Sequence, residues 1–80
     1  MAITPAQCRG ARGLLDWTQQ ELAQRAGVGI VTVRIFEAGT KESRNATLEV
    51  IRRALEGAGI EFIDENGGGP GVRLRKQKRK

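Results

Sequence analysis

Between Thr18 and Glu37 the start and stop signals fall so close together that only two short helices and a tight turn fit. Thr18 offers a side-chain oxygen to the free amides of a first helical turn, and Glu21, three positions on, can reach back to the Thr18 amide. Trp17, just before the cap, can pack on Leu22 as a hydrophobic staple. Gly27 stands where a left-handed residue would stop the helix, which limits it to Gln19 through Arg25, about two turns. The chain then changes direction over Gly27-Val28-Gly29, and a further helix is predicted from Ile30 to Glu37, ended by Gly39. Val33 and Phe36 lie three apart and should point inward with Val28.

Similar punctuation frames the rest of the chain. Thr4, Pro5 and Gln7 read as a cap, a proline at the first helical position and the third-position partner of a capping box. They predict a helix over residues 5 to 15 with Cys8, Ala11, Leu14 and Leu15 on its inner face and Asp16 outside. Gly10 and Gly13 oppose it, each costing about 1 kcal/mol relative to alanine. Thr40 to Arg44 reads as a polar loop. Asn45 then reads as the cap of a helix over residues 46 to 57, with Leu48, Ile51, Ala54 and Leu55 inward. Past Gly59 the period drops to two. Ile60 to Ile63 and Val72 to Arg75 alternate like half-buried strands around the turn-rich run Asp64 to Gly71. An isolated hairpin is marginal in water, so these strands must pack on the helices or pair with a second chain.

Composition removes most other classes of function. Eighty residues make one domain, and such a domain buries only about 60% of the surface its unfolded chain exposes. One cysteine excludes an intrachain disulfide, and the lack of histidine excludes a Cys/His zinc site and the commonest general base. No cofactor is implied, and an enzyme is not expected. No apolar run approaches the ~20 residues that span a bilayer, and the N-terminus lacks the pattern of a secretory signal. A soluble, cytoplasmic and nucleoid-associated protein is expected. The net charge of +5 and the sequence pI near 10.4 favour a polyanionic partner. Residues 1 to 59 hold eight Lys/Arg against six Asp/Glu, so the helical part is only mildly basic. The surplus gathers at Arg73, Arg75, Lys76, Lys78, Arg79 and Lys80.

Two short helices joined by a glycine-containing turn inside a small helical core form a helix-turn-helix pattern. The run Trp17-Thr18-Gln19-Gln20-Glu21-Leu22-Ala23 and the ending Phe36-Glu37-Ala38-Gly39 resemble the Cro/repressor-type (XRE-like) helix-turn-helix family over residues 4 to about 59. The tail beyond Gly59 resembles that of short bacterial regulators of this group. The resemblance implies a bundle of four or five helices whose third helix enters the DNA major groove. It implies that Gln19 bonds a backbone phosphate, and that Gly29, Ile30, Val31, Arg34 and Ile35 face the bases. It offers Lys41 and Arg44 as phosphate contacts. Family members often carry polar residues where Gly29, Ile30, Val31 and Ile35 stand. Apolar side chains there cannot read base edges by hydrogen bonds but can touch a thymine methyl, so T-rich recognition opposite Ile30 and Val31 is expected, with Arg34 the one strong base reader.

These readings give a mainly α chain: a four-to-five-helix helix-turn-helix bundle over residues 1–59, a C-terminal β-hairpin over 60–76 that could carry a dimer contact, and a basic tail at 77–80. The function expected is transcription regulation by a homodimer that binds double-stranded DNA through residues 30–37. The alternative is a protein-interaction module, antitoxin-like or anti-activator, that uses the apolar face of the same helix. An RNA role is disfavoured because Trp17, Phe36 and Phe62 should be buried rather than free to stack on bases. Glu37 is expected to be structural, since a carboxylate near phosphates would repel them. Cys8 is expected to pack as a small apolar residue. The glycines from 67 to 71 are expected to form a loop and not a phosphate cradle.

Overall fold

The Thr4 hydroxyl accepts the Gln7 amide at 3.0 Å, and Gln7 Oε1 accepts the Thr4 amide at 2.8 Å. With this box complete and Pro5 at the first position, helix α1 runs Pro5–Leu15 in the computed structural model, which describes residues 2 to 75. Asp16 ends α1 in the left-handed conformation, φ 58°. Helix α2 is Gln19–Ala26, α3 Ile30–Ala38 and α4 Asn45–Gly57, followed by strands β1, Ile60–Ile63, and β2, Gly71–Leu74. The mainly helical bundle with a terminal hairpin read from the sequence is the observed fold. No helix among the described residues is long and apolar enough to cross a membrane. The tail expected at 77–80 lies outside the described residues.

Three local expectations change. At the start of α2 only half of the capping box forms: Thr18 Oγ1 accepts the Glu21 amide at 3.0 Å, while the Glu21 carboxylate pairs instead with Arg25 at 2.7 Å. Arg44, not Asn45, is the extended residue before α4. The Leu48 amide bonds to the Arg44 carbonyl at 3.1 Å, which places Asn45 inside the first turn and leaves no side-chain cap. Leu14 was expected inside but is 45% exposed. Neighbouring residues on a helix point about 100° apart, so Leu14 and Leu15 cannot share one face. Leu15 continues the row of Cys8 and Ala11 and packs against the core; Leu14 is left outside.

The core joins every element. Cys8, Leu22, Val33, Ile51, Leu55 and Ile60 are fully buried, with Phe36 and Ile3 nearly so. The hairpin is therefore not a separate appendage, because Ile60 belongs to the same cluster as the helices. The strands pair antiparallel, Ile60 opposite Leu74 and Phe62 opposite Val72. β1 lies on α4 and β2 on α1, so the helices supply the support that a two-stranded sheet needs. Two residues of α1 make this docking possible. Gln7 Nε2 donates to the carbonyls of Ile63 at 3.3 Å and Gly71 at 3.0 Å, clamping the two strands where they enter and leave the hairpin loop. Gly10 lets β2 approach: a Cβ there would stand 3.2 Å from Val72 Cγ2. The glycine that argued against a helix is thus explained by what lies across from it.

Candidate nucleic-acid interface

The turn between α2 and α3 is built as its residues require. Gly27 adopts φ 74°, and its amide closes on the carbonyls of Ala23 and Gln24. The next amide, of Val28, bonds to Ala23 at 3.0 Å. An L-residue with a Cβ is disfavoured in that conformation, so the tight turn depends on glycine. Ala23 is buried where α2 meets the neighbouring helices. Gly29 precedes α3 with no side chain to cap it.

Behind α3 stands a buried carboxylate. Glu37, with a side chain 3% exposed, receives Arg12 Nε at 2.7 Å on Oε2 and Arg12 Nη2 at 2.7 Å on Oε1. Gln19 Nε2 reaches Oε1 at 3.0 Å and the Cys8 thiol donates to Oε2 at 3.1 Å. Arg9 bonds the Glu37 main-chain carbonyl, and Arg12 Nη1 also donates to the carbonyl of Trp17 at 2.9 Å. One carboxylate thus ties together α1, the start of α2 and the end of α3. Burial by itself pushes the Glu37 carboxyl up, but the hydrogen bonds from Arg12, Cys8 and Gln19, with the Arg12 charge, outweigh it and hold the carboxyl below its ordinary value. The bond to Glu37 raises Arg12 further still. Burial, followed by the Glu37 bond and charge, pushes the Cys8 thiol far above the ordinary thiol range. Cys8 is buried as expected, but it is also a donor and not simply an apolar filler.

Gln19 is half-buried, and its side-chain amide, donating to Glu37, joins the start of α2 to the end of α3. Glu37 has the structural place expected of it. Trp17 is half-buried against the core, and Arg25 lies over its ring at 4.8 Å.

The outer side of α3 is different. Val31 is 58% exposed, Ile35 38%, and Arg34 is exposed beside them. Gly29 is exposed at the head of the helix. Ile30, expected to stand with this group, is half-buried and leans on the core. It is the first residue of α3, next to the turn that Val28 pins. A shallow hollow of about 280 Å³ adjoins this face, lined by Thr32, Ile35, Ser43, Arg44 and Thr47. It brings Arg44 beside α3, although nine residues separate Arg44 from Ile35.

Charge pairing separates two groups of cations. Arg12, Arg25, Arg52, Arg53 and Arg73 each sit in an ion pair. The side chains of Arg34, Lys41 and Arg44 make no hydrogen bond or ion pair with any described residue. These three are the cations singled out from the sequence. Between residues 30 and 44 the acids are Glu37, which is buried, and the exposed Glu42.

Other chemistry is thinly provided. Among the described residues no three His, Cys, Asp or Glu side chains gather to hold a metal ion. The glycine-rich hairpin loop is no phosphate cradle, because the Glu65 carboxylate already takes the amides of Gly67 and Gly69 at 3.1 Å each. No protein-family model matches the chain, and no curated protein matches it either.

Proposed function

We propose that the chain is a sequence-selective binder of duplex DNA, a Cro/repressor-type regulator that lays α3 in the major groove. The observation that carries this reading is the arrangement around α3: a helix clamped from behind through Glu37, with an exposed outer face flanked by Arg34 and Arg44, and Lys41 following in the loop to α4, none of the three bonded to another described residue. Unengaged cations beside a protruding helix fit a partner that brings closely spaced negative charge. An α-helix with its side chains is about 10–12 Å across, which suits a groove about 12 Å wide. The regulator acts in the cytoplasm, on the nucleoid.

A homodimer is part of the proposal. A twofold pair would present two α3 helices about 34 Å apart, one turn of the duplex. Val50 on α4 and Leu74 on β2 are exposed apolar side chains, and they favour a contact made by α4 and the hairpin. The exposed Val31 and Ile35 favour one second reading, a protein partner docked on α3. Selection from a randomised pool of duplexes, repeated with Arg34→Ala, distinguishes the two. Enrichment of a symmetric site that is lost or relaxed in the variant supports DNA recognition. No enrichment, together with stoichiometric capture of a protein whose binding Val31→Ala abolishes, supports the second reading.

A further inference from the structure

Val31 and Ile35 stand one helical turn apart on α3 and share its outer face. Their methyl groups can neither donate nor accept a hydrogen bond, so they are blind to the polar pattern of base edges. The group on the floor of the major groove that an apolar side chain does recognise is the pyrimidine C5 methyl, carried by thymine and absent from uracil and unmodified cytosine. Cations lie on both sides of the pair: Arg34 on the same helix, and Arg44 across the hydroxyl-lined hollow beside Ile35. The occupant that matches is thus a polyanion presenting apolar spots between its charges, which is the major groove of a methyl-bearing duplex. Ile30 takes no part, since it leans on the core.

We propose that Val31 and Ile35 read two pyrimidine C5 methyl groups in each half-site, about two base-pair steps apart. This rests on the duplex-DNA reading above and adds what is recognised within it. The spacing follows from geometry. Four residues of helix advance about 6 Å, and two base-pair steps advance about 6.8 Å, so a helix lying along the groove sets the two side chains over positions two steps apart. A reader of this kind detects the methyl group itself. It distinguishes thymine from uracil although their hydrogen-bonding edges are identical, and it accepts 5-methylcytosine where it rejects cytosine.

The test uses the full chain and a duplex recovered from a randomised pool, with deoxyuridine replacing thymidine one position at a time. Fluorescence anisotropy should show two positions per half-site where loss of the methyl weakens binding about fourfold, the worth of one buried methyl-sized group. Val31→Ala should abolish the discrimination at one of these positions and Ile35→Ala at the other. Val31 is 58% exposed and Ile35 38%, and thermal melts of both variants beside the parent separate a lost contact from a lost fold. Restoring the methyl as 5-methylcytosine in a cytosine-substituted site should regain binding lost by that substitution. A parent protein that binds the thymidine and deoxyuridine duplexes equally at every position overturns this proposal and leaves DNA binding standing. Failure to recover any duplex from the pool overturns both.

Discussion

Replacing Arg12 with alanine would leave Glu37 in place and remove its main partner. The carboxylate is nearly inaccessible to water, and Arg12 supplies one short bond to each of its oxygens. Gln19 and Cys8 would remain, one on each oxygen, so the charge would be half-solvated by the protein and not stranded. Breaking one side of a buried ion pair costs about 3–5 kcal/mol. The two remaining donors, and the partial exposure of Arg12, put the expected loss at about 3 kcal/mol. For a chain of this size that is a large fraction of a total of about 4–12 kcal/mol, and it would lower the melting temperature by about 12–24 °C.

The pH dependence carries a sign that a merely smaller core would not produce. In the parent, the Glu37 carboxyl is held below its unfolded value, so its stabilising contribution is present above the unfolded pKa and is lost as pH falls through the folded one. In Arg12→Ala the largest lowering influence is gone while burial remains, which moves the folded carboxyl up from its place in the parent. The variant's deficit should then be greatest at neutral pH and should shrink as acid protonates Glu37. Adding Glu37→Gln to Arg12→Ala should recover part of the loss at neutral pH and abolish the shrinkage. Urea denaturation of the parent, the single and the double variant at pH 7 and pH 5 measures all of this. A single variant within ~0.5 kcal/mol of the parent, or a deficit unchanged by pH and by Glu37→Gln, would refute the argument.

Other substitutions test the packing of α1 and the hairpin. Gly13→Ala meets nothing within 4 Å and should stabilise by about 0.5–1 kcal/mol through helix propensity, whereas Gly10→Ala meets Val72 at 3.2 Å and should gain clearly less or lose; thermal melts of the two compare them directly. Gln7→Ala removes both clamps on the hairpin carbonyls and half of the α1 capping box, so stability should fall by about 2 kcal/mol and amide exchange should quicken across 60–63 and 71–74. The Cys8 thiol is fully buried and its pKa is raised, so a thiol reagent should label it at the rate of unfolding, with labelling following the denaturant profile. Rapid labelling in native buffer would contradict the buried place of that side chain.

What could be read from the sequence was what is decided locally. Thr4, Thr18, Gly27 and Gly39 set the limits of the first three helices almost to the residue, because capping and left-handed glycine act within one turn. The hairpin strands followed from alternation alone. Leu14 was misplaced because periodicity marks a face about 100° wide and cannot choose between adjacent leucines without knowing what packs opposite. Asn45 was misplaced because a good cap residue competes with the path by which the chain enters α4. The cluster of Cys8, Arg12, Gln19 and Glu37 was hidden for a different reason. Its members come from three helices as much as 29 residues apart, and no local pattern links them. The one available hint was that a carboxylate near phosphates would repel them, and it marked Glu37 as structural without naming its partners. Gln19 follows from the same blindness: its position on α2 was legible, but its direction depends on Glu37. Of the candidate contacts, Val31, Arg34, Ile35, Lys41 and Arg44 are exposed as the pattern implied, and Ile30 leans inward.

The proposed role of α3 and its flanking cations is tested most directly by the salt dependence of duplex affinity, in the parent and in the double variant Lys41→Ala, Arg44→Ala. Lys41 and Arg44 are the proposed phosphate-neutralising pair, and two such cations per subunit in a dimer contribute about −4 to the slope of log affinity against log salt, at about −0.9 per contact. The slopes of parent and variant should therefore differ by about that amount while both proteins melt alike. Equal slopes, or a parent affinity that does not change with salt, would contradict the account.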